Sequence, residues 1–259
     1  MAQSTSTLGF DTAVTKSTVT QNRPPAVDAD THLDCPSVAR ANQAATRENP
    51  SGSENYANKY KDYTVLQQHV LFWDRDNDGT ITPLDTYIGF RDLGFNIIFS
   101  ILAVLIINIS FSYPTRLAYS WVPDPLFRVY LPSIHKAKHG SDSAVIDNEG
   151  RFVPQAFENL FTKYSRNGEE DTLSLADIFR LMKGHRVAAD PFGWGAAFFE
   201  WGTTWLLIQR NGKVQKEDLR QVYDGSIFWN IREKRRRPEG WNQGYGLGGD
   251  GFVGPVKVI

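Results

Sequence analysis

The sequence is poor in the residues on which several common chemistries depend. It holds one cysteine, Cys35, so an intramolecular disulfide and a cysteine-cluster zinc site are both excluded, and a cytosol-facing protein is expected. Its 2 methionines are too few for the Met-rich groove of a soluble calcium sensor. Neither sign of charge dominates: 28 Lys+Arg against 29 Asp+Glu leave a formal net charge of -1, which gives no field for gathering nucleic acid or steering an acidic substrate. No nucleic-acid partner is expected. The sequence has no G-x-S-x-G, no nucleotide-binding glycine loop and no cysteine-based nucleophile motif, which counts against hydrolases, kinases and dehydrogenases. The N-terminal stretch has no apolar h-region, so export is not expected.

What is present is unevenly distributed. Residues 1–58 are polar and broken by Pro24, Pro25, Pro36 and Pro50, and they read as a mostly disordered arm. From Tyr60, the positions Tyr63, Leu66, His69, Val70 and Trp73 recur at helical spacing up to an acidic loop. Past Thr82-Pro83 a second helix starts through Leu84, Tyr87 and Phe90, so 59–92 forms a helix-loop-helix unit. Residues 93–113 carry no charged side chain; at about 1.5 Å per residue they are long enough for a hydrocarbon core of about 30 Å. Asn96, Ser100, Ala103 and Ser110 fall along one side of that helix, a stripe that favours packing on protein or lying near an interface. Pro114 is expected to stop it. Pro123, Pro125 and Pro132, with Trp121, Phe127 and Tyr130, then turn the chain at a headgroup boundary and close an apolar anchor over 93–132.

Residues 133–230 read as a helical domain, with patterns around 153–164, 174–182, 191–207 and 216–228. Two of its loops, 167–172 and 210–213, look like degenerate relatives of the acidic loop. The end, 231–259, holds a basic cluster at 232–237 and a Gly-rich run at 244–254, expected to be flexible. The expected fold is all-α, built of EF-hand-like helix-loop-helix units with an inserted apolar anchor and disordered termini.

The acidic loop, 74–85, matches the twelve-residue calcium pattern in register. Asp74, Asp76 and Asp78 occupy positions one, three and five, Gly79 six, the Thr80 carbonyl seven, Thr82 nine and Asp85 twelve. Calcium takes about six to eight oxygens, the glycine allows the sharp turn, and Ile81 is placed to pair with a partner loop. Asp85 stands where Glu is usual; its shorter side chain leads us to expect weaker calcium binding or more magnesium occupancy. The five histidines are too scattered for a helical zinc motif. His69 alone is more often a packed or capping residue than a ligand, and His135 and His139, spaced i,i+4 among lysines, equally suit an exposed turn. The aromatic stretch 192–205 reads as core rather than as a cofactor box.

Taken in order, several segments carry a resemblance. They are Leu66-Gln67-Gln68-His69-Val70, the acidic loop, Gly89-Phe90-Arg91-Asp92-Leu93-Gly94-Phe95-Asn96, the uncharged segment, the proline turn, Ile134-His135-Lys136-Ala137-Lys138-His139-Gly140-Ser141-Asp142-Ser143 and Asp147-Asn148-Glu149-Gly150-Arg151-Phe152. Over 56–228 the chain resembles the caleosin family, and its polar N-terminal arm looks like a fungal member's. Plant caleosins cluster four prolines at the turn; here Pro123 and Pro125 keep two places, Ala118 and Arg128 fill the others, and Asp124 replaces a serine.

The resemblance implies a calcium-binding, haem-dependent peroxygenase. It would move oxygen from fatty-acid hydroperoxides to unsaturated fatty acids, at lipid droplets and the endoplasmic reticulum or other microsomal membranes, with its polar domains facing the cytosol. The implied cofactors are haem b and Ca2+, and by motif the two haem histidines fall on His69 and His139. Such chemistry needs an open iron position, so one of the pair should be a displaceable ligand or an acid-base group. Which one that is stays open, as does homo-oligomerisation. On a phospholipid monolayer the anchor should dip and return as a monotopic hairpin, whereas a bilayer also permits a spanning helix. The rival is a non-enzymatic, calcium-binding coat protein of lipid droplets.

Overall fold

The structure, a computed structural model, describes residues 16, 19, 23, 25–166 and 171–236. The Gly-rich run at 244–254, Arg237 and most of the 167–172 loop lie outside them. The chain is mostly helical, with one long apolar helix.

The first helices are α1, Glu54–Lys59, and α2, Val65–Val70, which replace the single helix expected from Tyr60. Two local devices separate them. Thr64 and Gln67 form a capping box that restarts the helix. The buried Gln68 amide donates to the carbonyls of Asn42, Tyr60 and Tyr63, which satisfies the backbone of the turn.

The acidic loop follows, then β1, Thr80–Ile81, and α3, Pro83–Leu93, capped by Thr82 and ended by Gly94 in the left-handed region. The long apolar helix α4, Ile97–Arg116, starts on Asn96, whose carboxamide oxygen accepts the N–H of Phe99. Pro114 does not stop α4 as expected; the helix carries it inside its last turn, where the Thr115 hydroxyl donates to the Phe111 carbonyl.

After α4 the chain turns back and runs along it. Strand β2, Val129–Tyr130, pairs antiparallel with β1, and a 3-10 segment, Leu131–Ala137, follows. Asn108 on α4 donates to the carbonyls of Ile81 and Phe127, and Ser133 donates to that of Thr115. These bonds hold the returning limb, the acidic loop and α4 together. The partner of Ile81 is thus the limb that follows the proline turn, not a second ion loop.

The second half contains α5, Pro154–Tyr164, β3, Thr172–Ser174, α6, Leu175–His185, α7, Pro191–Ile208, β4, Lys213–Gln215, α8, Lys216–Asp224, and α9, Ser226–Arg236. The strands that follow the two echo loops, β3 and β4, pair antiparallel with each other. The helix expected over 216–228 is broken at Gly225, which caps α8 at φ +78°.

One apolar cluster runs from Ala44 through Phe72, Phe90, Phe157 and Leu181 to Phe228. The described part of the N-terminal arm, from 25 on, belongs to this body, contrary to the disorder expected for 1–58. Ala26, Ala29, Leu33, Ala44 and Ala45 are buried, and Arg40 bridges to Phe152. The physical reason is ionic. Glu158, wholly buried, accepts from the Arg47 backbone and guanidinium and from Lys216. Arg47 also pairs with Asp28, and Lys216 with Glu48. A polar segment therefore stays in place through charges satisfied in the interior rather than through apolar periodicity.

Candidate functional site

The acidic loop takes its shape from backbone demands. Asn77 and Gly79 both adopt positive φ, +57° and +81°, and the buried Asp74 carboxylate accepts the N–H groups of Asp78 and Gly79 at 3.1 Å. Asp78 accepts the N–H and hydroxyl of Thr80 at 2.7 and 2.8 Å. Oxygens of Asp74, Asp76 and Asp78 converge within 4.8 Å of one another. Burial raises the Asp74 carboxyl against the pull of its two N–H donors and is reinforced by Asp78 and Asp76, a repulsion that a bound cation would relieve. The structure thus brings together three of the expected ligands. Asp85 is engaged at the start of α3, accepting from the Thr82 N–H at 3.0 Å and the Thr82 hydroxyl at 2.6 Å, and Thr80 lies in the β1 ladder opposite Tyr130. The chemistry of this donor set, hard oxygens on a glycine-kinked loop, fits a divalent ion.

Both candidate haem histidines border one apolar cavity of about 590 Å³, within the roughly 300–1,000 Å³ usual for small-molecule sites. Its walls include Val70, Phe90, Ile107, Phe111, Ala196 and Phe199, contributed by α2, α3, α4 and α7.

His69 comes from α2. Its Nδ1 lies 2.6 Å from the Val222 carbonyl at the end of α8. A carbonyl only accepts, so Nδ1 carries the proton and Nε2 keeps its lone pair. Burial lowers the pKa of His69 despite that bond, so the ring is neutral near pH 7. Phe228 packs edge-on to the ring at 5.2 Å, and Trp73 lies at 6.0 Å. This is a locked imidazole with a free nitrogen, the form in which histidine ligates metals.

His139 follows the 3-10 segment. Its Nε2 lies 3.4 Å from Glu200 Oε2 on α7, and its buried Nδ1 has no hydrogen-bond partner among the described residues. The Glu200 carboxylate raises its pKa, outweighing the burial that would lower it. The two rings therefore differ in kind: His69 is a neutral donor of electron pairs, His139 a group disposed to hold a proton. An apolar cavity bordered by two imidazoles, one with an orphaned buried nitrogen, fits a haem.

Of the other histidines, His135 is outside the cavity lining and His32 is exposed. His185 packs on Tyr164, and burial brings its pKa down to about 4. The aromatic stretch expected as core divides: Trp201 is buried, whereas Phe192, Trp194 and Phe198 are exposed, and Phe192 also borders the cavity.

Among known proteins, a family model described as "Caleosin related protein" matches residues 61–232. The chain belongs to the caleosin family. It is 36% identical over 225 residues to "Peroxygenase" of Lilium longiflorum, covering 86% of this caleosin and 92% of the lily protein. It is 38% identical over 175 residues to "Probable peroxygenase 4" of Arabidopsis thaliana, covering 66% and 86% of the two chains. A third relative, 34% identical over 149 residues and covering 57% and 69%, is the Arabidopsis thaliana "Probable inactive peroxygenase-like protein". No solved structure matches this caleosin.

Three contributors to the site escape a reading of the sequence. Val222 acts through its carbonyl, which leaves no mark in residue type. Glu200 stands alone among aromatics, and that isolated charge on an uncharged helix is the signal that could have found it. Gly225 followed a periodic helix at a C-cap position, and it brings α8 against the backbone of His69.

Proposed function

We propose that this caleosin is a calcium-binding haem peroxygenase of lipid surfaces. It would transfer one oxygen atom from a fatty-acid hydroperoxide to an unsaturated fatty acid, leaving the alcohol and forming the epoxide or hydroxylated product. The observation that carries this is the pair of chemically different imidazoles on one apolar cavity, His69 fixed by Val222 and His139 beside Glu200. Held there, haem b would supply the redox-active iron that oxygen transfer from a hydroperoxide needs. His69 would hold the haem iron through Nε2, with the Val222 carbonyl fixing its tautomer. His139 is the acid-base group that holds a proton at Nε2 and passes it during oxygen transfer, oriented by Glu200. The apolar wall orients the acyl chains and excludes water.

The calcium assignment rests on Asp74, Asp76 and Asp78, with the Thr80 carbonyl and Asp85 completing the shell of an EF-hand unit. With Asp85 in its tight capping box, weak and magnesium-tolerant binding is expected. Lipid attachment is assigned to α4 and the proline turn, and the returning limb packed along α4 supports a monotopic hairpin over a span.

Oxygen transfer from a fatty-acid hydroperoxide to oleic acid by the detergent-purified, haem-supplied protein tests the assignment. Wild type should form the epoxide. His69→Ala should lose both the haem absorption band and turnover, and His139→Ala should keep the band and lose turnover. Wild type that binds calcium but neither haem nor hydroperoxide would favour the non-enzymatic coat protein, a reading favoured by the inactive naming of one relative.

A further inference from the structure

The cavity accounts for the inner side of α7 but not for its outer side. In its 18 residues α7 carries one charged side chain, Glu200. Trp194 and Phe198, which do not line the cavity, stand 40% and 63% exposed. Large apolar side chains left this exposed on one helix are unusual on a surface meant for water. The neighbouring apolar face belongs to α4, where Ile98, Leu105 and Ile109 are 65%, 52% and 57% exposed. The two helices meet where Phe99 and Phe199 stack, with centroids 5.8 Å apart and planes 16° from parallel. The cavity lies between them: Ile106 and Ser110 line it from α4, and Phe192, Gly195 and Glu200 from α7. Because Phe192 and the Glu200 side chain both line the cavity and are each 51% exposed, it reaches the surface along α7.

We infer that the outer face of α7 lies in the same hydrocarbon phase as that of α4, and that the slot between the two helices admits acyl chains from the lipid into the cavity. This rests on the lipid attachment assigned to α4 above. Continuity with that face and the near absence of charge on α7 select lipid over a protein partner. Trp194 marks the level of the boundary. Its Nε1 donates to the Val187 carbonyl at 2.8 Å, and the Arg186 guanidinium sits 5.4 Å from its ring, an aromatic and a cation paired as at a headgroup layer.

The lone cysteine makes the test direct. In a Cys35→Ser background of the full chain, Leu105→Cys, Phe198→Cys and Val38→Cys each carry an environment-sensitive fluorophore, and the protein is bound to phosphatidylcholine vesicles containing brominated acyl chains. Labels at 105 and 198 should shift to the blue and be quenched severalfold; the label at 38, on the polar segment, should do neither. A water-exposed label at 198 with 105 in lipid would overturn the inference and leave the anchor standing, whereas a water-exposed label at 105 would overturn both. Gly195→Leu tests the slot. A Cβ there meets nothing within 4 Å among the described residues, and leucine favours the helix, so the variant should fold, which far-UV circular dichroism checks. It should slow transfer of a fluorescent polyene fatty acid from vesicles to the protein severalfold; an unchanged rate would overturn the entry route.

Discussion

At Gly225 the backbone has φ +78°, and a Cβ would stand 2.7 Å from the Gln68 carbonyl oxygen and 2.8 Å from the His69 Cα. Two constraints meet in one residue: a left-handed cap that side chains resist, and a helix contact with no room for a methyl group. Gly225→Ala should therefore push α2 from α8 and lengthen the His69–Val222 bond. We expect a loss of about 1–3 kcal/mol in stability, and ring-nitrogen NMR should show His69 no longer fixed as the Nδ1–H tautomer. Gly212→Ala is the control: φ is +75° but nothing lies within 4 Å, so about 1 kcal/mol of strain is expected with His69 unaffected. At this scale the sequence spoke through side-chain motifs only. The three loop aspartates were legible from their spacing, whereas His69 and His139 stood out only through the resemblance to caleosins. The Val222 carbonyl was not, since every residue has one. The difference between the two histidines was equally hidden, because it is set by partners 61 and 153 residues away.

Among the elements, the apolar hairpin was legible in its absence of charge but not in its limits. Gly94 and Asn96 set the start of α4, and Pro114 is absorbed in its final turn. The stripe expected to pack on protein does so at Ser100 and Ala103, extended by Asn108, Ser112 and Thr115. Asp124 organises the proline turn. Its carboxylate accepts from the Leu126 N–H at 3.0 Å, Arg128 Nε at 2.8 Å and the Tyr130 hydroxyl at 2.6 Å. Burial would raise its pKa, but these donors outweigh burial and bring it to about 2. A depressed carboxyl stabilises the fold above its unfolded pKa of about 4, and that contribution is lost as pH falls through about 2. Asp124→Asn should thus cost about 1–2 kcal/mol at neutral pH, less than the full shift implies because the partner Arg128 is partly exposed and screened by water. Denaturant melts of the two proteins should converge between pH 4 and pH 2.

For the whole molecule, the first and second halves share one interior. Glu158 is the point of greatest leverage, since Arg47 holds the N-terminal segment to it and Lys216 brings in α8. Glu158→Gln leaves two cations facing a neutral amide in the interior, and a loss of about 3–5 kcal/mol is expected in denaturant unfolding. Proteolysis should then release residues before about 50 first, because Arg47 and Lys216 tie that segment to the second half through Glu158. Hydropathy missed this attachment because the buried side chains of the segment are mostly alanines, too small to register as a periodic apolar run. The helices of the second half were legible because α5, α6 and α8 each bury one side and wet the other, the pattern that periodicity detects.

The two-residue ladder between Thr80–Ile81 and Val129–Tyr130 carries a thermodynamic consequence. With the calcium and lipid assignments proposed above, this ladder would join the acidic loop to the limb returning from the lipid, so loop occupancy and hairpin seating would answer to one reciprocal linkage. The factor by which calcium tightens vesicle binding must equal the factor by which vesicles tighten calcium binding. Calcium titrations with magnesium competition, run in detergent-free buffer and again on vesicles, should give a single-site curve in both and shift its midpoint by that common factor. On this arrangement the ion would act less as a messenger from the cytosol than as a tally of how much lipid surface the protein has already found.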